Sequence, residues 1–303
     1  MQLPTIQQIS LKSIDPSLNI SVLREDLVHP YLGGNKWRKL KYNLIDFQKS
    51  GCTELLTFGG AYSNHLVATA TAGNLNGIRT IGIVRGEEIS NPCLDYVRSQ
   101  GMHLHFVTRE EYRQKEDSSF VNELLITLKN NGVIEQTEKV FVVPEGGSNL
   151  AATFGAAEMN DYLGDAEHIF CPAGTGGTAA GITKRMQEGQ LLHVVPVLKA
   201  EGFMEKNILR LEGFPRRIQF HYDYHFGGYA KITNELLQFC TDFRNETGIP
   251  VEPVYSGKMF FAFVSLAKSG FFKKESHIRL IHTGGVYPFY SDFRINKKKK
   301  VHY

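Results

Sequence analysis

The chain of 303 residues is long enough for two domains or for one large α/β unit. Its 42% hydrophobic and 21% charged residues are typical of a globular protein, and dispersed basic residues with a net charge of +3 give no indication of a nucleic-acid partner. There is no apolar run of about 18 residues and no signal-peptide pattern, so we expect neither a membrane span nor secretion.

From residue 53 onward, strand-like runs alternate with amphipathic stretches. Seven runs have the length and composition of strands: LLTFGG, RTIGIVRG, MHLHFVT, KVFVVPEGG, HIFCPAG, HVVPVLKAEG and IRLIHTGG. The stretches HLVATATAGNLNG and LAATFGAAEMNDYLG between them are typical of helices. This alternation predicts parallel sheets covered on both faces, with ligands bound beyond the carboxyl ends of the strands.

The cysteines and the lysine-rich end give weaker indications. Cys52, Cys93, Cys171 and Cys240 are scattered without the paired spacing of a metal site, so we expect no metal and reduced thiols in the cytoplasm. The run NKKKKVHY is typical of a solvated chain end.

The stretch GGNKWRKLKYNLIDF predicts a helix that begins with an unusual residue. Phe47, Leu44, Leu40 and Lys36 follow one another at helical spacing, so a lysine heads the apolar stripe. Lysines at helix ends most often extend into water. A partly desolvated lysine, however, has a lowered pKa and can attack an aldehyde. Lys39, one turn later, could stay charged and face a phosphate.

A polar triplet follows the strand-like run that ends at Gly60. Ser63 or Asn64 alone would serve as an N-cap, which is worth about 1 kcal/mol. The triplet Ser63, Asn64 and His65 offers more polar groups than capping needs. We therefore expect a carboxylate to bind at the start of this helix.

The clearest motif is CPAGTGGTAAG at residues 171–181, between a strand-like run and a predicted helix. Glycines let backbone N–H groups converge, and threonines add hydroxyl donors, so the loop is typical of a phosphate site. A tight turn without a ligand remains an alternative, and so does a dinucleotide fingerprint with Glu201 as the ribose acid. A Walker lysine is lacking, which excludes that kind of ATPase. The loop comprises Gly174, Thr175, Gly176, Gly177 and Thr178.

Taken together, the motifs resemble the family of 1-aminocyclopropane-1-carboxylate (ACC) deaminases and D-cysteine desulfhydrases. The matching segments are GGNKWRKL, GGAYSNH, CPAGTGGTAAG, GGYAK, PVYSGK and HTGG, in the family's order from residue 33 to 285. The dinucleotide alternative explains only one of them. The resemblance implies a pyridoxal 5'-phosphate (PLP) enzyme of fold type II, similar to the tryptophan synthase β subunit. It also implies a homodimer.

The fold implied by this resemblance is α/β, with two open, twisted, mostly parallel sheets flanked by helices. A large PLP-binding domain would comprise residues 1–48 and 160–303, with a small α/β domain at 49–159 inserted in it. No metal, nucleic acid or membrane is implied as a partner, only a small amino-acid substrate.

The resemblance also implies a role for each matching residue. Lys36 would carry PLP as an aldimine, and Lys39 with the loop 174–178 would bind its phosphate. Asn64 would bind the ring hydroxyl. Ser63, Asn64 and His65 would receive the substrate carboxylate, with Ser63 assisting proton transfer. Tyr229 and Tyr255 match the family's two active-site tyrosines.

Two positions distinguish the family's activities. The ACC deaminase pattern has VYEGK and HLGG, whereas this chain has VYSGK and HTGG. Ser256 therefore replaces a glutamate and Thr283 a leucine, and the chain resembles D-cysteine desulfhydrases, which have hydroxyl residues at both positions. A serine can hydrogen-bond the pyridine nitrogen but supplies no charge, so we expect a neutral ring and a good leaving group. Thr283 should favour a polar substituent. This predicts β-elimination from D-cysteine; the alternatives are an ACC deaminase, an amino-acid racemase and a non-catalytic PLP-binding protein.

Overall fold

A computed structural model describes residues 1–199, 201–214 and 217–288 of the protein. The lysine-rich run at 296–303 lies outside the described residues. The strands within the described residues are β1 (Thr5–Ile9), β2 (Asn19–Arg24), β3 (Glu54–Gly60), β4 (Arg79–Arg85), β5 (His103–Val107), β6 (Val140–Val143), β7 (His168–Ala173), β8 (Leu191–Pro196), β9 (Ile218–Phe220) and β10 (His277–His282). The α-helices in the same part of the chain are α1 (Asn35–Ser50), α2 (Asn64–Asn76), α3 (Pro92–Ser99), α4 (Arg109–Arg113), α5 (Ser118–Asn130), α6 (Leu150–Ala157), α7 (Gly177–Thr183), α8 (Phe203–Arg210), α9 (Asn234–Thr247) and α10 (Ser256–Lys268).

All seven strand-like runs of the sequence are strands in the structure, β3 to β8 and β10. The three strands that were not predicted are β1, β2 and β9. Both β1 and β9 are edge strands of their sheet. Edge strands need no continuous apolar run, because one side of the strand faces no neighbour. β9 is also only three residues long.

The chain forms two compact units. The first comprises Met1–Asn35 together with the chain from Thr153 onward, and the second comprises Lys36–Ala152. Apart from its first residue, α1 therefore belongs to the second unit. The small domain expected at 49–159 stays a prediction about the functional domains.

The first unit contains a six-stranded sheet in the order β1-β2-β10-β7-β8-β9. Every neighbouring pair is parallel except β1 and β2, which are antiparallel. Alternate side chains of one strand enter two different cores: Phe170 packs with the residues of α10, whereas Ile169 and Cys171 pack with those of α7 and α8. This alternation is the period of two expected of a strand that is buried on both faces.

The second unit contains a four-stranded parallel sheet in the order β5-β4-β3-β6. Its core packs Leu56 and Phe58 of β3 against Leu124, Leu125 and Leu128 of α5. The predicted fold class, two mostly parallel sheets with helices, is thus confirmed. Among the described residues, no helix combines the length and the apolar character that crossing a membrane requires.

A chain of three histidines lies in the core of the first unit. His193 Nε2 is 2.9 Å from His168 Nδ1, and His193 Nδ1 is 2.9 Å from His221 Nε2. The His193 ring also stacks on Phe170, with 4.4 Å between ring centroids. Burial, together with the smaller effects of the neighbouring His221 and His168, lowers the pKa of His193 to about 2. His193 is therefore a neutral core residue at physiological pH.

Candidate active site

The glycine loop after β7 has a backbone that only small residues allow. Gly176 has a φ of +79°, and a Cβ there would lie 3.2 Å from both Ile208 Cγ1 and Met204 Sδ. A Cβ at Gly174 would lie 3.1 Å from Tyr255 Cε1. The lack of a side chain at residue 174 therefore keeps the space beside Tyr255 open. A loop whose N–H groups approach a ligand requires such a space.

Two asparagines hold this loop, and neither was recognised in the sequence. Asn35 Nδ2 donates a 2.9 Å hydrogen bond to Thr178 Oγ1. The Asn207 side-chain amide donates a hydrogen bond to the Thr175 carbonyl oxygen. Asn35 lies within the GGNK motif, so the motif supplied a signal for it. Asn207 of α8 lies outside every motif.

The glycines before Lys36 are explained by a close backbone approach. Gly34 has a φ of +69°, and a Cβ there would lie 2.0 Å from the Thr283 carbonyl oxygen. The same oxygen accepts a 3.3 Å hydrogen bond from Asn35 N. Thr283, which directly follows β10, is buried. The motifs GGNK and HTGG, at opposite ends of the sequence, are therefore in contact through their main chains.

The two predicted tyrosines lie together in the first unit. Their rings, Tyr229 and Tyr255, pack edge to face with centroids 5.8 Å apart. Tyr229 lies in a loop in which Phe226, Gly227, Gly228 and Ala230 all have positive φ. Buried Lys258 of α10 holds this loop, since its Nζ donates to the carbonyl oxygens of His225 at 2.9 Å and of Gly228 at 2.8 Å. Burial lowers the pKa of Lys258 to about 8, and nearby Glu252 opposes this shift.

Ser256 lies at the start of α10, next to a carboxylate that the sequence analysis missed. Ser256 is fully buried, and its Oγ lies 3.0 Å from Glu252 Oε1. The Glu252 carboxylate also accepts hydrogen bonds from three backbone N–H groups, those of Val254, Tyr255 and Ser256. Burial raises the pKa of Glu252 to about 7, and these hydrogen bonds oppose the shift. The i, i+4 spacing of EPVYS was the only signal in the sequence.

Lys36 and Lys39 lie in α1 at the start of the second unit. Lys36 is half-buried, as expected of a lysine that heads an apolar stripe, and Leu40, Leu44 and Phe47 behind it are buried. Lys39 is 1% exposed, and its Nζ donates a 2.5 Å hydrogen bond to Ser148 Oγ. A buried ammonium group needs such partners, and an anion is the strongest that it can have.

The polar triplet is at the start of α2, as the sequence predicted. Ser63 is the N-cap, and its Oγ accepts a 3.3 Å hydrogen bond from Leu66 N. This cap uses the Ser63 oxygen as an acceptor, so the hydroxyl keeps a proton to donate. Asn64, the first residue of the helix, is half-buried.

His65 is oriented by the strand beneath it. Thr57 Oγ1 donates to the Val143 carbonyl oxygen at 2.8 Å, and it lies 2.8 Å from His65 Nε2. With its proton committed, Thr57 can only accept, so His65 carries its proton on Nε2. His65 Nδ1 is buried without a hydrogen-bond partner among the described residues.

The charge state of His65 follows from the same surroundings. Burial lowers its pKa well below the ordinary value, and the charges of Lys36 and Lys39 lower it further. The side chain therefore presents a bare acceptor, which suits a cation or an N–H donor better than a carboxylate. A direct contact with a substrate carboxylate, as implied in the sequence, stays a prediction that this arrangement disfavours.

Each unit thus collects one part of the predicted site. In the first unit, direct contacts join the glycine loop, Tyr229, Tyr255, Asn35 and Thr283, and Ser256 follows Tyr255 in the chain. The second unit collects Lys36, Lys39, Ser63, Asn64 and His65 on α1 and the start of α2.

These residues fit PLP by the chemistry of their donors. The open space at Gly174 and the hydroxyls of Thr175 and Thr178 suit a phosphate. A half-buried primary amine at Lys36 suits an aldehyde. A fully buried hydroxyl at Ser256 suits a ring nitrogen.

Known proteins place the chain in one family. The family model described as "Pyridoxal-phosphate dependent enzyme" matches residues 7–284. The chain is 31% identical to a putative ACC deaminase of Thermotoga maritima over 91% of each sequence. It is 29% identical to the mitochondrial bifunctional D-cysteine desulfhydrase/ACC deaminase of Arabidopsis thaliana, over 95% of this chain and 78% of that one.

A solved structure agrees with these relatives. The crystal structure of an ACC deaminase homologue superposes with a TM-score of 0.80 at 26% identity, over 94% of this chain and 90% of the other. The chain therefore belongs to the pyridoxal-phosphate-dependent enzymes, in the group of ACC deaminases and D-cysteine desulfhydrases, and PLP is its cofactor.

Proposed function

We propose that the protein is a lyase that breaks the Cβ–S bond of D-cysteine. D-cysteine and water would give pyruvate, ammonia and hydrogen sulfide. The observation that carries this proposal is the pair of buried hydroxyl residues Ser256 and Thr283. At these two positions the ACC deaminase pattern has glutamate and leucine. A hydroxyl at 283 suits a polar thiol substituent better than the methylenes of a cyclopropane ring.

The binding roles in this proposal rest on the resemblance to the family. The loop 174–178 and Lys39 would bind the phosphate, and Asn64 would bind the ring hydroxyl. Ser63, which keeps a proton to donate, binds the substrate carboxylate beside the N-terminus of α2. The hydrogen bond from His65 Nε2–H to Thr57 fixes the orientation of the His65 ring at the start of the same helix. Thr283 faces the substituent on the substrate's β-carbon.

Lys36 and the tyrosines carry out the proton transfers. Lys36 would hold the aldehyde end of PLP, and its Nζ would accept the α-proton of the substrate. When bound, PLP supplies the delocalisation of the electron pair that remains on the α-carbon. The ring centroids of Tyr229 and Tyr255 are 5.8 Å apart. One tyrosine can therefore deliver a proton to the leaving sulfur while the other positions the first. Water then releases ammonia and pyruvate.

Ring opening of ACC, which gives 2-oxobutanoate and ammonia, is a second candidate. It is favoured by the names of the Thermotoga relative and of the solved homologue, and the Arabidopsis relative is named for both activities. The hydroxyl of Thr283, at the position where the ACC deaminase pattern HLGG has leucine, argues against it as the main activity.

We further propose that the enzyme acts as a cytoplasmic homodimer. The homodimer rests on the resemblance to the family. The cytoplasm is supported by the four cysteines, which form no disulfide bond in the described part of the chain.

A substrate assay on the PLP-loaded protein tests the proposal. We expect keto-acid and sulfide release from D-cysteine, with a kcat/KM at least tenfold above those for L-cysteine and ACC. Lys36→Ala should abolish release, while the matched control Lys41→Ala on the same helix should not. Keto-acid formation from ACC but not from D-cysteine would establish the second candidate instead.

Variants of Thr283 separate the two candidates further. Thr283→Leu should lower kcat/KM for D-cysteine about tenfold, equivalent to about 1.4 kcal/mol, whereas Thr283→Ser keeps the hydroxyl and should retain activity. Equal effects of the two substitutions would contradict a role for the hydroxyl.

A further inference from the structure

Glu252 forms most of the hydrogen bonds that the Ser256 hydroxyl can make. A hydroxyl has one proton to donate and two lone pairs that accept. Glu252 N donates to Ser256 Oγ at 3.1 Å, which uses one lone pair. The hydroxyl proton points to Glu252 Oε1 at 3.0 Å, a better acceptor than the Glu252 carbonyl oxygen at 3.4 Å. The other lone pair has no donor among the described residues.

This remaining lone pair can bind only a donor. Under the proposed function, Ser256 faces the pyridine nitrogen of PLP, and the inference rests on that placement. A neutral pyridine nitrogen is an acceptor, and two acceptors cannot share a hydrogen bond. A protonated nitrogen is a donor and matches the free lone pair of Ser256.

We propose that Glu252 is a positioning residue that fixes the direction of the Ser256 hydroxyl, so that Ser256 accepts a hydrogen bond from a protonated pyridine nitrogen. The Glu252 carboxylate then supplies the negative charge that a serine lacks, through its hydrogen bond with Ser256. A protonated ring is the opposite of the neutral ring expected from the sequence. The sequence alone did not show that Glu252 contacts Ser256.

The surroundings of Glu252 keep the carboxylate in place. Three backbone N–H groups at the start of α10 hold it, so its oxygens cannot rotate away from Ser256. The titratable and charged groups near it are Cys240 of α9 and Lys258 of α10. The positive charge of Lys258 favours the ionised carboxylate, whereas the Cys240 thiol, whose pKa burial raises to about 12, stays neutral.

A cap for α10 would be the purely structural role of Glu252. The variant Glu252→Gln separates the two roles, because the amide oxygen can still accept from the backbone N–H groups. Its neutral amide does not hold the Ser256 proton as a carboxylate does. Glu235→Gln, at the exposed first turn of α9, is the matched control.

The test is the ¹⁵N NMR shift of protein loaded with PLP labelled at its ring nitrogen, without substrate. Because burial raises the pKa of Glu252 to about 7, spectra are recorded at pH 8, where it is ionised. We expect a pyridinium shift in the wild type and in Glu235→Gln, and a displacement toward free pyridine in Glu252→Gln and Ser256→Ala. The midpoint of thermal unfolding of the apo variants verifies that they fold.

A free-pyridine shift in the wild type would overturn the inference, and so would a pyridinium shift that Glu252→Gln leaves unchanged. If Glu252→Gln does not fold, the wild-type and Ser256→Ala spectra still decide. The spectra are recorded without substrate, so a result that overturns the inference does not affect the proposal of D-cysteine elimination. Conversely, a negative D-cysteine assay does not change the measured protonation state of the ring.

Discussion

The side chain of Asn35 donates a 2.9 Å hydrogen bond to Thr178 Oγ1, and its backbone N–H donates to the Thr283 carbonyl oxygen at 3.3 Å. The residue directly before Lys36 is therefore tied to the glycine loop and to the end of β10. A residue that is held through both its side chain and its backbone fixes where α1 begins.

Asn35→Ala should weaken PLP binding. Loss of one hydrogen bond between partly buried groups costs about 1 kcal/mol, so we expect the dissociation constant for PLP to rise about fivefold to tenfold. Titration of the apo protein with PLP, followed by absorbance, measures this. The control Asn74→Ala removes an exposed hydrogen bond to Gln100 and should bind PLP as the wild type does. Equal affinities of the two variants would contradict the role of Asn35.

Gly34→Ala should destabilise the first unit strongly. A Cβ would lie 2.0 Å from the Thr283 carbonyl oxygen, and φ is +69°, so both the contact and the backbone conformation oppose a side chain. We expect a loss of about 3 kcal/mol or more in the free energy of unfolding. Gly51→Ala has a φ of +70° with nothing within 4 Å, and should cost only about 1 kcal/mol. Urea unfolding of the apo variants checks the difference, and equal losses would mean that the Thr283 contact carries no strain.

Lys258→Met should release the loop that carries Tyr229. The substitution removes the donors to the carbonyl oxygens of His225 and Gly228 but keeps an unbranched side chain that is only one atom shorter. We expect kcat/KM for the elimination to fall about tenfold or more, because a misplaced catalytic group is costly. Lys268→Met, exposed at the end of the same helix, is the control and should leave kinetics unchanged. Wild-type kinetics in Lys258→Met would show that Tyr229 needs no such support.

The buried histidines should make stability depend on pH. The pKa of His193 is about 2 in the folded protein, against about 6.5 when unfolded. Above pH 6.5 the residue is neutral in both states. Below it, only the unfolded chain binds the proton, so the free energy of unfolding falls by about 1.4 kcal/mol for each pH unit.

Unfolding free energies at pH 7.5 and 5.5 measure this effect. His193→Gln, which cannot be protonated, should be less stable at pH 7.5 but should lose about 1 kcal/mol less than the wild type on going to pH 5.5. The same loss in both proteins would show that His193 does not contribute to the acid sensitivity.

Much of the fold could be predicted because buried parallel strands have a strong local signal. The apolar runs of β3, β4 and β7 are bounded by glycine turns, so their composition alone identifies them. The residues TIQQI of β1 give no such signal, because an edge strand is specified by its partner β2 and not by its own burial.

The site residues that were predicted all lie in motifs with a local reason for their composition. Glu252, Asn207 and Thr57 were missed because each acts through a contact with a side chain or carbonyl group that the fold brings near. The spacing of Glu252 and Ser256 was visible, yet a proline lies between them. Nothing local indicates that the chain turns there and returns a carboxylate to the hydroxyl.

The strand order of the first unit has a consequence for how the protein is made. The central strand β10, between β2 and β7, is the last described strand to leave the ribosome. The second unit is continuous in sequence and can fold on the nascent chain, whereas β2 must wait for its parallel partner β10, more than 250 residues later. Until β10 has been synthesised, Gly34 and Asn35 lack their contacts with the Thr283 carbonyl oxygen. Lys36, the proposed aldehyde-binding residue, directly follows these two residues, so we expect cofactor capture to wait until β10 has been synthesised.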